Sequence, residues 1–278
     1  MAEDSPHHDG PARTAILRFY AELNDFLRAD QRQRDIAYAF NGRPSVKDAI
    51  EALGVPHPEV DLILLNGVSV GLGHALAPGD RIAVYPVFEG LDITPIVRLR
   101  ERPLRCPAFV ADCHLGKLAR RLRMLGFDVV YRRDFEDLEI IRVSVQERRI
   151  ILTRDRGMLK HSAVTHGYWV RSTVAAEQVG EVLKRFDLWR QVRPFSRCTA
   201  CNGDVVAVAK ADVEAELAPL TRRYYEEFFR CIDCRRIYWE GSHFRRMRAL
   251  ADELSRPPDG SVPADEALPE DETLPPVS

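Results

Sequence analysis

The chain has 278 residues, 45% apolar and 29% charged, which suits a globular protein with one large core or two to three small ones. No apolar run approaches the roughly 18 residues a membrane span needs, and the polar start MAEDSPHHDGPAR lacks an apolar h-region, so no membrane or secretory role is expected and a cytoplasmic location is the default. The net charge of -2 hides a split of -5 over residues 1–90, +10 over 91–250 and -7 over 251–278; a basic middle fits either a polyanionic partner or a solvated arginine-rich surface.

Residues 1–12 read as disordered, and a compact unit spans 13–90. Within it Thr14–Tyr20 and Arg34–Phe40 predict strands, the second closed by the turn signal Asn41-Gly42. Ser45 is placed to cap a helix over Val46–Leu53, stopped at Gly54 before Pro56. Asp61–Leu65 and Arg81–Tyr85 predict two more strands. This β-β-α-β-β order is that of a ubiquitin-like β-grasp, and Leu65-Asn-Gly67 and Leu76–Pro86 resemble the small sulfur carriers of that fold. Such carriers act through a free C-terminal diglycine. Here the chain runs on through Val87–Asp92, so an interaction module is expected instead, with a possible protein partner.

A proline- and arginine-containing linker is placed at 91–107. From 108 to 193 apolar runs alternate with helical patterns, which predicts a doubly wound α/β domain with a parallel sheet. Phe109–Ala111 ends in Asp112, and Arg149–Thr153 leads to Asp155. The first helix, about 115–125, has Leu115, Leu118, Leu122 and Leu125 on one face, with Lys117, Arg120, Arg121 and Arg123 outside that stripe. The second, about 135–147, is expected to turn Leu138, Ile141 and Val145 inward. A strand at 128–131, a helix near 157–165, a strand at 168–171 and a helix over 176–186 complete the set.

Residues 194–250 are organised by cysteine. Cys198-x-x-Cys201 and Cys231-x-x-Cys234 have the spacing of a tetrahedral four-sulfur site, which reads as a structural zinc ribbon. Four cysteines leave no open position for catalysis. After Ser255 the sequence is acidic and proline-rich, and 251–278 is expected to be a disordered tail.

In an open parallel sheet, ligands bind outside the carboxyl ends of the strands. Asp112 and Asp155 arrive there, and Asp134, Glu136 and Asp137 open the second helix at the same edge. Converging carboxylates suit Mg²⁺ or Mn²⁺. Each acid also reads, by itself, as a helix cap.

Phe109-Val-Ala-Asp112, Leu115–Arg123, Leu125-Gly-Phe-Asp128, Ile151–Asp155, Ser196-Arg-Cys198-x-x-Cys201-Asn202 and Cys231-x-x-Cys234 followed by Ile237-Tyr-Trp-x-Gly241-Ser-His243 resemble the Mut7-C family. The resemblance covers about 13–248. It implies a PIN-like ribonuclease domain with a zinc ribbon and an N-terminal ubiquitin-like domain. It further implies Asp112, Asp137 and Asp155 as catalytic metal ligands for Mg²⁺ or Mn²⁺, with Asp134 and Glu136 competing for the second place. Lys117, Arg120, Arg154, Arg245 and Arg246 are the expected RNA contacts. Tyr238 and Trp239 suit either base stacking or packing of the ribbon. The expected activity is metal-dependent RNA hydrolysis; the alternative is a non-catalytic RNA-binding adaptor that recruits a partner through its β-grasp domain.

Overall fold

The computed structural model describes residues 13–86 and 107–256. The segment 1–12, nearly all of the linker and most of the acidic tail lie outside the described residues.

The first unit is a β-grasp. Strands β1 (Arg13–Phe19) and β2 (Ile36–Phe40) are antiparallel, α1 (Val46–Ala52) crosses them, and β3 (Val60–Leu65), β4 (Val68–Ser69) and β5 (Arg81–Pro86) complete the order β2-β1-β5-β3-β4. The parallel pair β1–β5 lies inside the sheet. Alternation along β1 buries Ala15, Leu17 and Phe19 in the same cluster as Val46, Ala49 and Ile50 of α1. Ser45 caps α1 as its sequence suggests: its Oγ accepts from the Asp48 N–H, and the Asp48 carboxylate accepts from the Ser45 N–H.

The second unit alternates β6 (Phe109–Ala111), α2 (Gly116–Met124), β7 (Val129–Val130), α3 (Asp137–Glu147), β8 (Ile150–Thr153), α4 (Arg156–Leu159), β9 (Gly167–Trp169) and α5 (Ala175–Arg185). Its strands are parallel in the order β7-β6-β8-β9. Phe109 and Ala111 face a core filled from α2 and α5; Val110 and Ile151 face one filled from α3 and α4. Burial on both faces explains why β6 and β8 read as unbroken apolar runs. The chain leaves β6 first for β7 on one side and then for β8 on the other. The strand order therefore reverses at β6/β8, where such sheets open a crevice at their carboxyl ends.

Two sequence expectations fail on the helices. On α3 the buried residues are Ile140, Ile141 and Ser144, while Leu138 is 64% and Val145 50% exposed. Ser144 tolerates burial because its hydroxyl donates to the Arg149 carbonyl at 2.6 Å, so the inner face of α3 turns by about one position from the all-apolar stripe. On α2, Arg123 is only 4% exposed; its Nε donates to the Val129 carbonyl at 2.8 Å and its Nη1 to the Ala200 carbonyl at 2.9 Å.

The third unit is the antiparallel sheet β10 (Val205–Val208), β11 (Phe228–Cys231) and β12 (Ile237–Trp239), with α6 (Pro219–Tyr224) between its first two strands. A helix the sequence patterns did not reveal, α7 (Ser242–Leu254), follows and returns to the α/β core through Ala251 and Leu254. Residues 251–254 therefore finish a helix rather than begin the tail.

Candidate functional site

The crevice end of the sheet is built around Asp112. It directly follows β6, is 4% exposed, and is fixed by two contacts. Its Oδ1 accepts from the His114 N–H at 3.2 Å and its Oδ2 from the Thr153 hydroxyl at 2.8 Å. Thr153 ends β8, and its Oγ1 also accepts from the Asp155 N–H at 2.9 Å. One hydroxyl thus ties together the ends of the two strands that flank the reversal. Thr153 was not singled out by motif reasoning; its place just before Arg154-Asp155 was the available signal.

The remaining acids differ in how free they are. Asp155 is exposed, and its Oδ1 accepts from the Gly157 N–H at 2.7 Å, which caps α4. Asp134 accepts twice from Arg132, at 3.2 and 3.0 Å. Glu136 sits at the cap of α3, where its N–H donates to Glu139 Oε2 at 3.2 Å. Asp137 is exposed in the first turn of α3, and its charge reaches Cys113.

Asp112, Cys113 and His114 form a close group: one ligand atom from each lies within 4.8 Å of the others. Asp137 and Asp155 are not part of it. The Cys113 thiol is held above its ordinary value, first by its hydrogen bond to Asp112, then by burial and by the charges of Asp112 and Asp137. The Tyr131 hydroxyl donates to the Cys113 carbonyl at 3.1 Å and lies over Gly116. A Cβ at Gly116 would stand 2.5 Å from that hydroxyl, so the residue starting α2 has to be glycine for the tyrosine to close down.

The expected RNA contacts fare differently. Lys117, Arg120, Arg245 and Arg246 are exposed. Arg154 is turned onto its own fold: its Nη1 donates to the carbonyls of Val170, Arg171 and Ser172. It orders the turn after β9 more than it offers charge to a ligand. Trp239 is 37% exposed on β12, and Arg248 pairs with Glu240 at 3.4 Å.

The four ribbon cysteines converge as their spacing predicts, with all four sulfurs within 4.8 Å of one another. The Cys198–Cys234 and Cys201–Cys231 sulfurs are 3.7 and 3.4 Å apart. Tetrahedral zinc with bonds of about 2.3 Å sets its sulfurs about 3.8 Å apart, so the set fits that ion closely. Burial would raise the Cys198 thiol, yet hydrogen bonds from Tyr238 and from the Cys201 and Ala200 N–H groups bring it down to about 6. A thiol so poised gives up its proton readily to a metal. Tyr238 therefore serves the cysteine cluster, 3.0 Å from the Cys198 sulfur.

The profile described as "Mut7-C RNAse domain" matches residues 107–251, more than half of the chain. The chain belongs to the Mut7-C RNase family. A second profile, "Mut7-C ubiquitin", matches residues 12–92, which include the whole β-grasp sheet. No curated protein matches. Two solved structures are similar to part of the chain. One is the H. volcanii small archaeal modifier protein 1, at 24% identity over 27% of this chain and 99% of that one, with a TM-score of 0.23. The other is SAMP1 from Haloferax volcanii, at 25% identity over 28% and 99%, with a TM-score of 0.23. Among the described residues no helix is long and apolar enough to cross a membrane.

Proposed function

We propose that this Mut7-C protein is a metal-dependent ribonuclease whose reaction takes place at the carboxyl ends of β6 and β8. The observation that carries the proposal is the buried Asp112, fixed by Thr153 where the strand order reverses. A carboxylate desolvated and oriented in this way is a strong anchor for a divalent cation. Asp137 and Asp155 are exposed at the rim of the same edge and supply further oxygens. A Mg²⁺ or Mn²⁺ held there would supply a water of lowered pKa and positive charge beside the scissile phosphate.

The protein's own groups do the rest. Thr153 holds the Asp112 carboxylate in one rotamer, and the His114 N–H helps to fix its second oxygen. Lys117 and Arg120, exposed on α2, supply cationic charge along the path of an RNA backbone. Arg245 and Arg246, exposed on α7, supply further cationic charge. The non-catalytic adaptor is the second reading, favoured by the fact that Asp137 and Asp155 lie outside the tight Asp112 group.

Cleavage of single-stranded RNA by zinc-loaded protein, with added Mg²⁺ or Mn²⁺, separates the two. Asp112→Asn should lower the rate by about a hundredfold or more, since a lost metal anchor removes several kcal/mol of transition-state stabilisation. Undiminished cleavage by Asp112→Asn would overturn the site assignment. Salt-sensitive RNA binding with no cleavage under either metal would favour the adaptor. Mutation is cleaner than chelation, because a chelator also attacks the ribbon.

A further inference from the structure

The carboxyl-edge site contains two soft donors that hard-cation chemistry does not use. Cys113 and His114 follow Asp112 in the chain, and the 3-10 turn over Cys113–Leu115 folds their ligand atoms to within 4.8 Å of each other and of its carboxylate. The thiol lies within 4.8 Å of that carboxylate. Tyr131 pins the turn by its bond to the Cys113 carbonyl.

We infer that Asp112, Cys113 and His114 form a second transition-metal site, taking a zinc-class ion through one oxygen, one sulfur and one nitrogen, and that such an ion displaces Mg²⁺ or Mn²⁺ from Asp112. The regulatory half of this inference rests on the ribonuclease reading above; the metal site does not.

The chemistry of the donors decides the ion. Zn²⁺ binds carboxylate, thiolate and imidazole at about 2.0–2.3 Å, and three protein ligands leave a fourth position for water. Mg²⁺ demands oxygens in near-octahedral array and gains nothing from a thiolate. Bonds of that length require donor atoms about 3.3–3.8 Å apart, so the group draws in by at most about an ångström. His114 is exposed and Cys113 half-buried, so both side chains have room to rotate, while buried Asp112 stays fixed as the anchor. On binding, the thiol proton passes to solvent, and the sulfur and the carboxylate oxygen each bond the metal. No oxidation is involved. This site differs from the ribbon in kind: four sulfurs close the ribbon, whereas the second group keeps an open face toward the crevice.

Cobalt reports the difference. Protein holding one equivalent of zinc in its ribbon is titrated with Co²⁺ while zinc release is followed with a chromogenic chelator. The expected result is uptake of Co²⁺ with a thiolate-to-cobalt charge-transfer band and no zinc release. Cys113→Ser should lose that band, and both it and His114→Ala should bind Co²⁺ at least about tenfold more weakly. A thermal midpoint equal to wild type in each variant shows that it folds. A wild-type band that grows only as zinc is released, or that persists in Cys113→Ser, would overturn the site. For regulation, each protein's Mg²⁺-driven RNA cleavage is compared with and without added Zn²⁺. Wild type should be inhibited, and the two variants should need about tenfold more Zn²⁺ for the same fractional loss. Equal sensitivity would overturn the displacement. Absence of cleavage by every protein would overturn both the displacement and the ribonuclease reading, while the cobalt titration would still decide the metal site.

Discussion

The sheet of the α/β domain has an attached module at each edge, and the two junctions use the same device with different chemistry. An edge strand presents backbone N–H groups with no neighbouring strand. At β9 the Trp169 N–H donates to Glu59 Oε1 of the β-grasp domain at 2.6 Å. At β7 the Val129 N–H donates to Asn202 Oδ1 of the cysteine knuckle at 2.9 Å. Each junction also contains a buried arginine. Arg185, 7% exposed, faces Glu59 and Glu22 of the β-grasp domain at 3.6 and 3.4 Å. Arg123, 4% exposed, donates to three carbonyls, two of them on the knuckle.

The difference appears in how the junctions answer to protons. Glu59 is fully buried, and its Oε2 has no hydrogen-bond partner. Burial raises its pKa above the ordinary carboxylate value, against the pull of Arg185, Arg171 and the Trp169 N–H. Asp128, beside the ribbon junction, is also raised by burial, but hydrogen bonds from Arg149 and Asn202 more than cancel this and leave it lowered. The β-grasp junction is thus favoured by acid and the ribbon junction weakened by it. The lesson is that a fully buried carboxylate without full hydrogen bonding and a half-buried one with it give opposite pH slopes.

The largest expected effect comes from breaking the ribbon. Cys231→Ser, or removal of zinc, should release the knuckle that supplies the Ala200 and Thr199 carbonyls to Arg123. A buried charge left without partners costs about 3–5 kcal/mol, so the ribbon and β7 should loosen together. Amide exchange should show Val129 losing protection while Trp169 keeps its own. Equal loss at both amides would mean that the two edges are not independent.

The two junctions also mark what the sequence could convey. The β-grasp order, the strands ending at Asp112 and Thr153 and the four-cysteine cluster all rest on short-range signals: alternation, apolar runs and C-x-x-C spacing. The junctions rest on partners far apart in the chain. Arg123 meets Ala200 77 positions on, and Glu59 meets Trp169 110 positions on. Local periodicity therefore reads Arg123 as a surface residue and is silent on Glu59. On α3 an all-apolar stripe misled, because a serine bonded to a backbone carbonyl replaced it. At the candidate site Asp112 was legible from its place after a strand. Thr153, at the end of an apolar run, and Cys113–His114, between such a run and a helix, carry no spacing signal of their own. Arg154, expected to meet RNA, also donates through Nη1 to three carbonyls of its own fold, which only the turn after β9 reveals.

A smaller effect is expected at Asp128. Its carboxylate accepts from Arg149 at 2.7 and 3.3 Å and from Asn202 at 2.7 Å. Asp128→Asn should cost about 2–3 kcal/mol near neutral pH, the range for a lost charge-assisted hydrogen bond to a half-buried arginine. Because the folded pKa is lowered, this contribution is present above the unfolded value of 3.8 and is lost as pH falls through the folded value. Denaturation curves of wild type and variant should therefore converge in acid. A gap that persists there would assign the cost to packing rather than charge.

The smallest effect, and the one that tests the comparison most directly, is expected at Glu59. Glutamine keeps an oxygen for the Trp169 N–H and removes the titrating charge. The folded pKa of Glu59 is raised above its unfolded value of 4.5, so its contribution is fully present below that value and is lost as pH rises through the folded one. Relative to wild type, Glu59→Gln should then gain stability as pH rises above 4.5. The opposing consideration is Arg185, which loses a carboxylate partner but keeps Glu22 at 3.4 Å. If Arg185 depended chiefly on Glu59, the variant would lose ground with rising pH instead, as Asp128→Asn does. The sign of that slope, read from thermal midpoints across the range, decides whether the two junctions are opposites or variants of one ion-paired design.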